Sequence, residues 1–215
     1  MNGKLDSYLE SFITDRNELF TEMERYADLN HVPIMEITGI NTLCQLLRLQ
    51  NPKRILEIGT AIGYSALRMA DTIEQVEIIT IERDEERYER AIHYLGRSPY
   101  GQRVKVIKGD ALDQSVIDEV HSFGPYDAIF IDAAKGQYQK FFNEFTASLN
   151  EQGCVYTDNV LFKGLVLEDE DLIEKKNLRN LVKKIKHYNQ WLMQHEEFIT
   201  TILPVGDGLA VSIKR

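Results

Sequence analysis

The sequence predicts an α/β fold in which a doubly wound, mostly parallel sheet carries helices on both faces. Strand-like runs alternate with helical runs of about 10–15 residues, which is typical of parallel units joined by right-handed crossovers. The strand-like run AIFI (128–131) is wholly apolar, which favours burial on both faces. Near the C-terminus, GDG (206–208) separates two more strand-like runs and indicates an antiparallel hairpin.

The residues before the first strand, 1–50, are predicted to form a helical extension. Apolar residues recur at roughly every third or fourth position over Leu5–Asn30, which predicts one helix. A second helix is expected over Glu36–Leu49. Because we find no repeat and no linker, we expect a single domain over 1–215, whose core over 51–215 binds the cofactor and carries the catalytic residues.

The core is predicted to contain five parallel strands followed by an antiparallel hairpin. The strands are expected at 54–59, 77–82, 103–110, 126–133, 153–159, 199–204 and 209–215. The helices between them are expected at 65–73, 85–97, 114–123 and 138–149. A parallel sheet completed by a C-terminal antiparallel strand is Rossmann-like, but it differs from the usual plan of a dinucleotide dehydrogenase.

Composition sets further bounds on the class of protein. The net charge of −9 argues against a nucleic-acid partner, but the charge is unevenly distributed along the chain. The start MNGKLDSYLESF has no basic residues followed by an apolar run, and no stretch approaches the ~18 apolar residues of a membrane span. We therefore expect a cytoplasmic protein. Cys44 and Cys154 lie in apolar contexts and are expected to be buried free thiols.

A glycine-containing loop follows the first predicted strand. In LEIGTAIGYS (56–65), Gly59 and Gly63 stand where small residues let the backbone approach a ligand and where a helix offers free N–H groups. Ser65 could cap that helix or bond the ligand. The G-x-x-x-G spacing is not the G-x-G-x-x-G of nicotinamide cofactors, and a tight strand-to-helix turn explains it equally well.

Acids follow the next two predicted strands. Glu82 ends the second strand, 23 residues after Gly59, where a carboxylate can accept both ribose hydroxyls of a nucleoside. Asp110 and Ala111 follow the third strand, beside the expected place of an adenine, although Asp110 could instead cap the next helix. This order favours an adenosine-containing ligand without separating NAD from S-adenosylmethionine. Glu57, inside the first strand, resembles the acid that methyltransferases often carry there and so favours the latter.

Three oxygen donors are predicted to meet at the ends of the fourth and fifth strands. FIDAAKGQY (130–138) places Asp132 after one strand, and YTDNVLFKG (156–164) places Asp158 and Asn159 after the next. Open α/β sheets bind ligands at this edge. Taken singly, each Asp is more often a cap or turn residue. Together they crowd two negative charges unless a cation lies between them, so we favour a Mg²⁺, Mn²⁺ or Ca²⁺ site.

Lys135 lies three residues after Asp132. A lysine is most often a solvated surface residue. This one would project over the same strand edge, where a neighbouring dication favours the neutral amine that a general base requires.

These motifs together resemble those of metal-dependent class I S-adenosylmethionine O-methyltransferases of the catechol and caffeoyl-CoA type. The matching stretches are LEIGTAIGYSA (56–66), IDAAKGQY (131–138) and TDNVLFKG (157–164). The resemblance implies S-adenosyl-L-methionine as methyl donor, Mg²⁺ or Mn²⁺ held by Asp132, Asp158 and Asn159, and Lys135 as the base. The cofactor contacts it implies are the backbone near Met35, and Gly59, Gly63, Ser65, Glu82, Asp110, Ala111 and Asp132. It also implies a homodimer.

The methyl acceptor is predicted from a charge reversal that follows the last motif. An acidic segment, LEDEDLIE (167–174), precedes KKNLRNLVKKIKHYNQ (175–190), which carries six Lys or Arg and no acid. Apolar spacing predicts an amphipathic helix with a basic outer face, which is often only a solvated surface. The cations that we expect at the rim of the active site, as RNA-binding candidates, are Lys175, Arg179, Lys183 and Lys186.

Two acceptors remain open within this resemblance. The whole chain is similar to the bacterial branch that methylates 5-hydroxyuridine at the tRNA wobble position, which makes the tRNA anticodon loop the expected partner. The alternative acceptor is a small catechol-like or caffeoyl-CoA-like molecule. Catechol enzymes carry an acid shortly before the final DGL, and this chain has Thr200 and Thr201 there.

Overall fold

The computed structural model describes residues 3–13 and 16–215, and its described part contains one seven-stranded sheet. The strands are β1 (Arg54–Ile58), β2 (Glu77–Glu82), β3 (Val104–Lys108), β4 (Tyr126–Ile131), β5 (Leu149–Thr157), β6 (Phe198–Leu203) and β7 (Leu209–Lys214). Their order across the sheet is β3-β2-β1-β4-β5-β7-β6. Strands β1 to β5 pair in parallel, and β7 is antiparallel to both β5 and β6. The predicted fold class is confirmed.

The helices of the described residues pack around this sheet. They are α1 (Gly3–Glu10), α2 (Glu18–Asn30), α3 (Ile37–Gln50), α4 (Tyr64–Thr72), α5 (Glu85–Arg97), α6 (Gln114–Ser122), α7 (Tyr138–Phe145) and α8 (Lys176–Met193). None of the helices in the described ranges is long and apolar enough to cross a membrane. Cys44 is buried and Cys154 half-buried, and both are free thiols.

The prediction of one continuous helix over Leu5–Asn30 is wrong. The chain leaves helical structure after α1 and re-enters it at Asn17, whose side-chain oxygen accepts the backbone N–H of Phe20 over 3.0 Å. Arg16, just before this cap, binds both carboxylate oxygens of Glu24 in the second turn of α2. The apolar spacing continues across the break, so periodicity alone could not locate an end that a side-chain cap creates.

The central strands are buried on both faces because their side chains alternate between two cores. On β4, Ala128 and Phe130 pack into the core that α2 to α5 cover, whereas Ile129 and Ile131 pack into the core under α6, α7 and α8. An apolar strand such as AIFI therefore has no solvated face, as its composition predicts.

The register of the parallel strands brings the ends of β1, β2, β4 and β5 to one edge. Ile58 lies opposite both Ile81 and Ile131, and Ile131 lies opposite Thr157. The residues that follow these strands therefore emerge side by side. Gly59 shows how closely they approach, because a Cβ there would lie 2.0 Å from the carbonyl oxygen of Asp132. Gly59 also has a positive φ of 105°, which a glycine adopts without strain.

Candidate active site

A cleft of about 320 Å³ opens along this edge of the sheet. It brings together eight of the site residues that the sequence predicts, from five different strand ends. They are Gly59, Glu82, Asp110, Ala111, Asp132, Lys135, Asp158 and Asn159. Three predicted cofactor contacts lie outside the lining: Met35, Gly63 and Ser65.

The segment before α3 reaches the cleft through other residues than Met35. The Met35 side chain is buried and packs against Gly39, its terminal carbon 3.2 Å from the position of a Cβ on that glycine. Pro33 and Ile34 line the cleft instead. The segment that the sequence indicates lines the cleft, but which of its residues does so depends on how Met35 packs against α3.

Gly63 and Ser65 shape the loop from beneath the cleft. Gly63 has a positive φ of 85° and directly precedes α4. It therefore serves the tight turn from strand to helix, the alternative to a ligand contact. Ser65 does not cap α4, because its hydroxyl donates to a carboxylate oxygen of Glu57 over 2.5 Å. Gly63 and Ser65 do not line the cleft, so the structure does not support their predicted role as direct cofactor contacts.

Glu57 is a buried carboxyl under the glycine loop. Ser65 donates to one of its oxygens and Thr80 to the other, each over 2.5 Å, and Thr60 is hydrogen-bonded to Thr80 over 2.6 Å. Burial raises the pKa of Glu57 to about 7, although these hydrogen bonds oppose the shift. The network ties β1, β2 and α4 together directly below the loop that lines the cleft.

Glu82 is the acid that faces the cleft from β2. Its two carboxylate oxygens accept the backbone N–H groups of Ala61 and Asp84, each over 2.8 Å, and its side chain is buried. These contacts fix the carboxylate while each oxygen keeps lone pairs for further donors. A fixed, buried carboxylate beside a glycine loop is suited to accept two hydroxyl groups of a ribose.

Asp110 lines the cleft but does not cap the next helix. One of its oxygens accepts the backbone N–H of Leu112 over 3.0 Å, and the other lies 3.2 Å from the guanidinium of Arg83. It therefore holds its own turn, rather than capping α6, and it also lines the cleft with Leu112.

Asp132 and Asp158 form a pair of neighbouring acids at the ends of β4 and β5. Burial raises the pKa of Asp132 to about 6. Burial and the charge of Asp132 raise the pKa of Asp158 well above its ordinary value. Asn159, with a positive φ of 59°, donates through its amide to Asp158 over 2.6 Å. Two carboxylates and an amide oxygen are thus gathered where negative charge is costly.

The chemistry of these donors fits a hard divalent cation. Such ions take oxygen ligands from carboxylates, amides and water, and a dication would offset the repulsion between Asp132 and Asp158. Over residues 3–13 and 16–215, no group of three or more His, Cys, Asp or Glu could hold a metal ion. A centre here therefore depends on Asn159 for its third protein ligand.

Lys135 lies beside this acid pair, as the sequence predicts. It begins a short 3₁₀ turn (Lys135–Gln137) after β4, is half-buried, and its ammonium lies 5.7 Å from the ring centre of Phe162. Its positive charge lowers the pKa of both Asp132 and Asp158, although burial outweighs it. Lys135 is therefore a cation next to the acids and open to the cleft.

Several residues of the cleft were not predicted from the sequence. Arg83 and Arg87 line it at the start of α5, and Phe141 contributes an apolar wall from α7. Arg83 directly follows Glu82 and could have been found from that position. Arg87 and Phe141 carry no signal of their own, because only the packing of α5 and α7 against the sheet turns them inward.

The structure pairs most of the predicted RNA-binding cations with the acidic segment. The ammonium groups of Lys183 and Lys186 lie 3.2 Å and 3.7 Å from the two carboxylate oxygens of Glu170. Arg179 donates to the carbonyl of Ile173 over 2.9 Å. The expectation of an open basic face on α8 is therefore partly wrong, because the acidic segment folds back onto the helix. Lys175 remains exposed at the N-terminal end of α8.

Thr200 and Thr201 do not face the cleft. Thr200 is buried and hydrogen-bonded to Ser212 over 2.8 Å, and Thr201 is exposed on the outer strand β6. Their place in the sequence therefore says nothing about which acceptor enters the cleft.

Comparison with known proteins places this geometry in a family. A model of the O-methyltransferase family matches residues 10–215. The caffeoyl-CoA O-methyltransferase of Medicago sativa is 30% identical over 173 residues, which cover 79% of this chain and 70% of that protein.

Two solved structures have the same fold. A Staphylococcus aureus protein, provisionally named a caffeoyl-CoA O-methyltransferase, is 40% identical with a TM-score of 0.91, covering 98% of this chain and 99% of that chain. A methyltransferase from Podospora anserina with bound S-adenosylhomocysteine is 23% identical with a TM-score of 0.84, covering 99% and 94%, and at this identity the likeness concerns the fold alone. Because the family model spans nearly the whole sequence, the chain belongs to the O-methyltransferase family.

Proposed function

We propose that this protein is an S-adenosyl-L-methionine- and divalent-metal-dependent O-methyltransferase that converts 5-hydroxyuridine at the tRNA wobble position into 5-methoxyuridine. The observation that carries the proposal is the content of one cleft. It holds the fixed carboxylate of Glu82, the acid pair Asp132 and Asp158 with Asn159, and the cation Lys135. A nucleoside site, a hard-ligand site and a base candidate are thus within one cavity.

Glu82 supports an adenosine-containing methyl donor. Its buried carboxylate is already oriented by two backbone N–H groups, so that binding the ribose hydroxyls needs little further ordering. Leu112 and Phe141 offer apolar walls for the adenine and the methionine chain, and both line the same cleft. A protein of the same fold, from Podospora anserina, is a methyltransferase with S-adenosylhomocysteine bound.

The reaction follows from the residues around the acid pair. A divalent ion, when bound by Asp132, Asp158 and Asn159, would supply Lewis acidity that favours the oxyanion of the acceptor. Lys135, as the neutral amine, takes the proton of the acceptor hydroxyl. The oxyanion then attacks the sulfonium methyl, a C–O bond forms, and the C–S bond breaks to release the thioether. The chain contributes mainly by aligning the two reactants.

Two features support tRNA as the acceptor. The 5-hydroxyl and the C4 carbonyl of 5-hydroxyuridine form an oxygen pair that can chelate a metal as a catechol does. The basic helix α8 packs beside the turn that carries Lys135, so cations flank the cleft. A base in the anticodon loop can enter a pocket without the melting of a duplex.

The second candidate function is methylation of a small caffeoyl-CoA-like or catechol-like acceptor. It is favoured by the 30% identity to the caffeoyl-CoA O-methyltransferase of Medicago sativa. The CoA ester of such a substrate also carries phosphates that the cations of α8 could contact.

The deciding experiment is mass spectrometry of tRNA nucleosides from a strain that lacks this protein. Accumulated 5-hydroxyuridine and lost 5-methoxyuridine are expected, and both should be reversed by the intact gene but not by a Lys135→Ala variant. Purified protein should methylate the hydroxylated tRNA, and added EDTA should stop it. Methylation of caffeoyl-CoA with unchanged tRNA nucleosides would establish the second candidate instead.

The proposal includes a homodimer. Apolar side chains of α1 and the residues after it are exposed, with Leu5, Tyr8 and Phe12 each more than half accessible. A partner subunit would cover such a surface. Light scattering coupled to size exclusion should give twice the chain mass, and a monomeric mass would count against this part.

A further inference from the structure

A second cavity adjoins the cleft at Lys135. This side pocket has a volume of about 250 Å³, and Lys135 lines both it and the cleft. Its remaining lining comes from the start of α7, the turn before it and α8. These residues are Gly136, Tyr138, Gln139, Lys183, Lys184, His187 and Tyr188.

The lining of the side pocket carries positive charge and contains no acid of its own. It includes three lysines and a histidine, and no Asp or Glu. Lys183 shares its charge with Glu170, outside the pocket. In the part of the chain that the structure describes, neither Lys184 nor His187 has a carboxylate within ion-pair distance. Crowded like charges of this kind are relieved by an anion.

The floor of the side pocket is rigid and connected to the candidate metal ligands. The rings of Tyr138 and Tyr188 are buried and meet edge to face at 5.3 Å. The Tyr138 hydroxyl donates to the carbonyl of Asp158, and the Tyr188 hydroxyl is hydrogen-bonded to Thr157, each over 2.9 Å. The end of β5 therefore positions both Asp158 and the floor of this pocket.

Lys184 reaches into the pocket because a glycine faces it. Its ammonium lies 3.2 Å from the position of a Cβ on Gly136, the residue after Lys135. Lys184 thus lies over the turn that holds the proposed base. It was not among the cations predicted to bind RNA, and it points to this pocket rather than to the acidic segment.

We propose that the side pocket binds a backbone phosphate of the RNA next to the nucleotide that enters the cleft, with Lys184 as its main contact and Lys183 and His187 beside it. The inference rests on the proposed function in taking an RNA as acceptor. Lysine serves as a point charge for phosphate, and the shared wall at Lys135 fits a phosphate one nucleotide away from the reacting base. Arg179 and Lys186, which are tied to the acidic segment and do not line the pocket, then contribute little.

The pocket can be tested without methyl transfer. The binding of an unmodified anticodon stem-loop is measured by fluorescence anisotropy over a series of salt concentrations. Lys184→Gln is expected to weaken binding about tenfold at low salt. It should also reduce the steepness of the plot of log binding constant against log salt concentration by about 0.7, which is the value for one lost phosphate contact on a single strand. Lys184→Arg should restore most of the affinity.

Lys140→Gln is the matched control, because this exposed lysine on α7 lies beside Gln139 yet outside the pocket lining. Equal weakening by Lys140→Gln and Lys184→Gln, or no weakening by Lys184→Gln, would overturn the proposal. Coenzyme A is the second probe. If Lys184→Gln weakened coenzyme A and left the RNA unaffected, the pocket would serve a CoA phosphate and the RNA assignment would be wrong. Intact RNA binding without methylation would instead count against the proposed function alone.

Discussion

Two halves of the cleft differ in how their charges are satisfied. In the half around Glu82, which we call the glutamate half, both oxygens of Glu82 and of the underlying Glu57 already accept hydrogen bonds. In the half around Asp132 and Asp158, the aspartate half, burial raises the pKa of both acids, and the charge of Asp132 raises that of Asp158 further. The first half is complete as folded, whereas in the second the cation Lys135 offsets the negative charge only in part.

This difference separates the stability of the two halves from their function. Substitution of a satisfied acid should cost stability and binding together, because its partners lose their acceptor. Substitution of a crowded acid should cost activity while relieving repulsion in the fold, as is common at functional sites. The following predictions use this contrast, in order of decreasing expected effect.

The largest effect is expected from Asp158→Asn. Methyl transfer should fall about 1,000-fold, because the loss of one charged ligand removes several kcal/mol of stabilisation from the developing oxyanion. In EDTA the melting temperature should rise, since one of two crowded carboxylates becomes neutral. Single-turnover kinetics and thermal unfolding in EDTA measure the two quantities.

Added magnesium chloride provides the control for Asp158→Asn. It should stabilise the parent and leave the variant nearly unchanged, because ligand binding stabilises only the state that binds. A variant less stable than the parent in EDTA, with unimpaired methyl transfer, would make Asp158 a structural turn residue and end the metal proposal.

Lys135→Ala should lower kcat about 100-fold, within the usual range for loss of a general base. Affinity for the methyl donor should be unchanged, because its proposed contacts Glu82 and Gly59 lie in the other half of the cleft. Lys135→Arg is the matched variant. Arginine keeps the charge beside the acids but does not lose its proton, so kcat should stay low. A Lys135→Arg enzyme with parental kcat would show that only the charge matters.

Much of this contrast could be predicted from the sequence, because the order of strand ends is local information. A run such as TDN after an apolar stretch gives Asp158 its place, and parallel pairing brings Asp132 beside it. Once the alternation of strands and helices was established, no detailed packing was needed to gather these residues at one edge.

Features that arise from non-local packing could not be predicted. The burial of Met35 against Gly39 turns its neighbours toward the cleft, and no pattern in the segment announces it. The pairing of Lys183 and Lys186 with Glu170 requires the acidic segment to fold back onto α8. Sequence spacing gives the face of a helix, but it does not reveal what folds over that face.

The glutamate half has its own pH signature through Glu57. Burial raises the pKa of this carboxyl from 4.5 to about 7 in the folded protein. Because the folded pKa is above the unfolded one, the neutral carboxyl stabilises the fold fully below pH 4.5, and this stabilisation is lost as the pH rises to about 7. The stabilisation that is lost amounts to about 3 kcal/mol.

Glu57→Gln should remove this part of the pH dependence. Between pH 5 and pH 8, the parent should lose about 2–3 kcal/mol more unfolding free energy than the variant. Ser65, Thr80 and the charges of Glu82 and Asp132 surround this carboxyl in both proteins, so the difference between the two isolates Glu57. Urea unfolding at both pH values measures it, and parallel pH profiles would show that the pKa of Glu57 is not raised in the folded protein.

The smallest effect is expected from Glu82→Gln, which tests the completeness of the glutamate half. The amide of glutamine would face a backbone N–H of Ala61 or Asp84, so one hydrogen bond is lost and another donor is added. The melting temperature should therefore fall while affinity for the methyl donor drops about tenfold, with kcat nearly unchanged. Calorimetry of S-adenosylhomocysteine binding and thermal unfolding give both readouts. Weaker binding with a raised melting temperature would put Glu82 in the same class as Asp158, and the contrast between the two halves of the cleft would no longer hold.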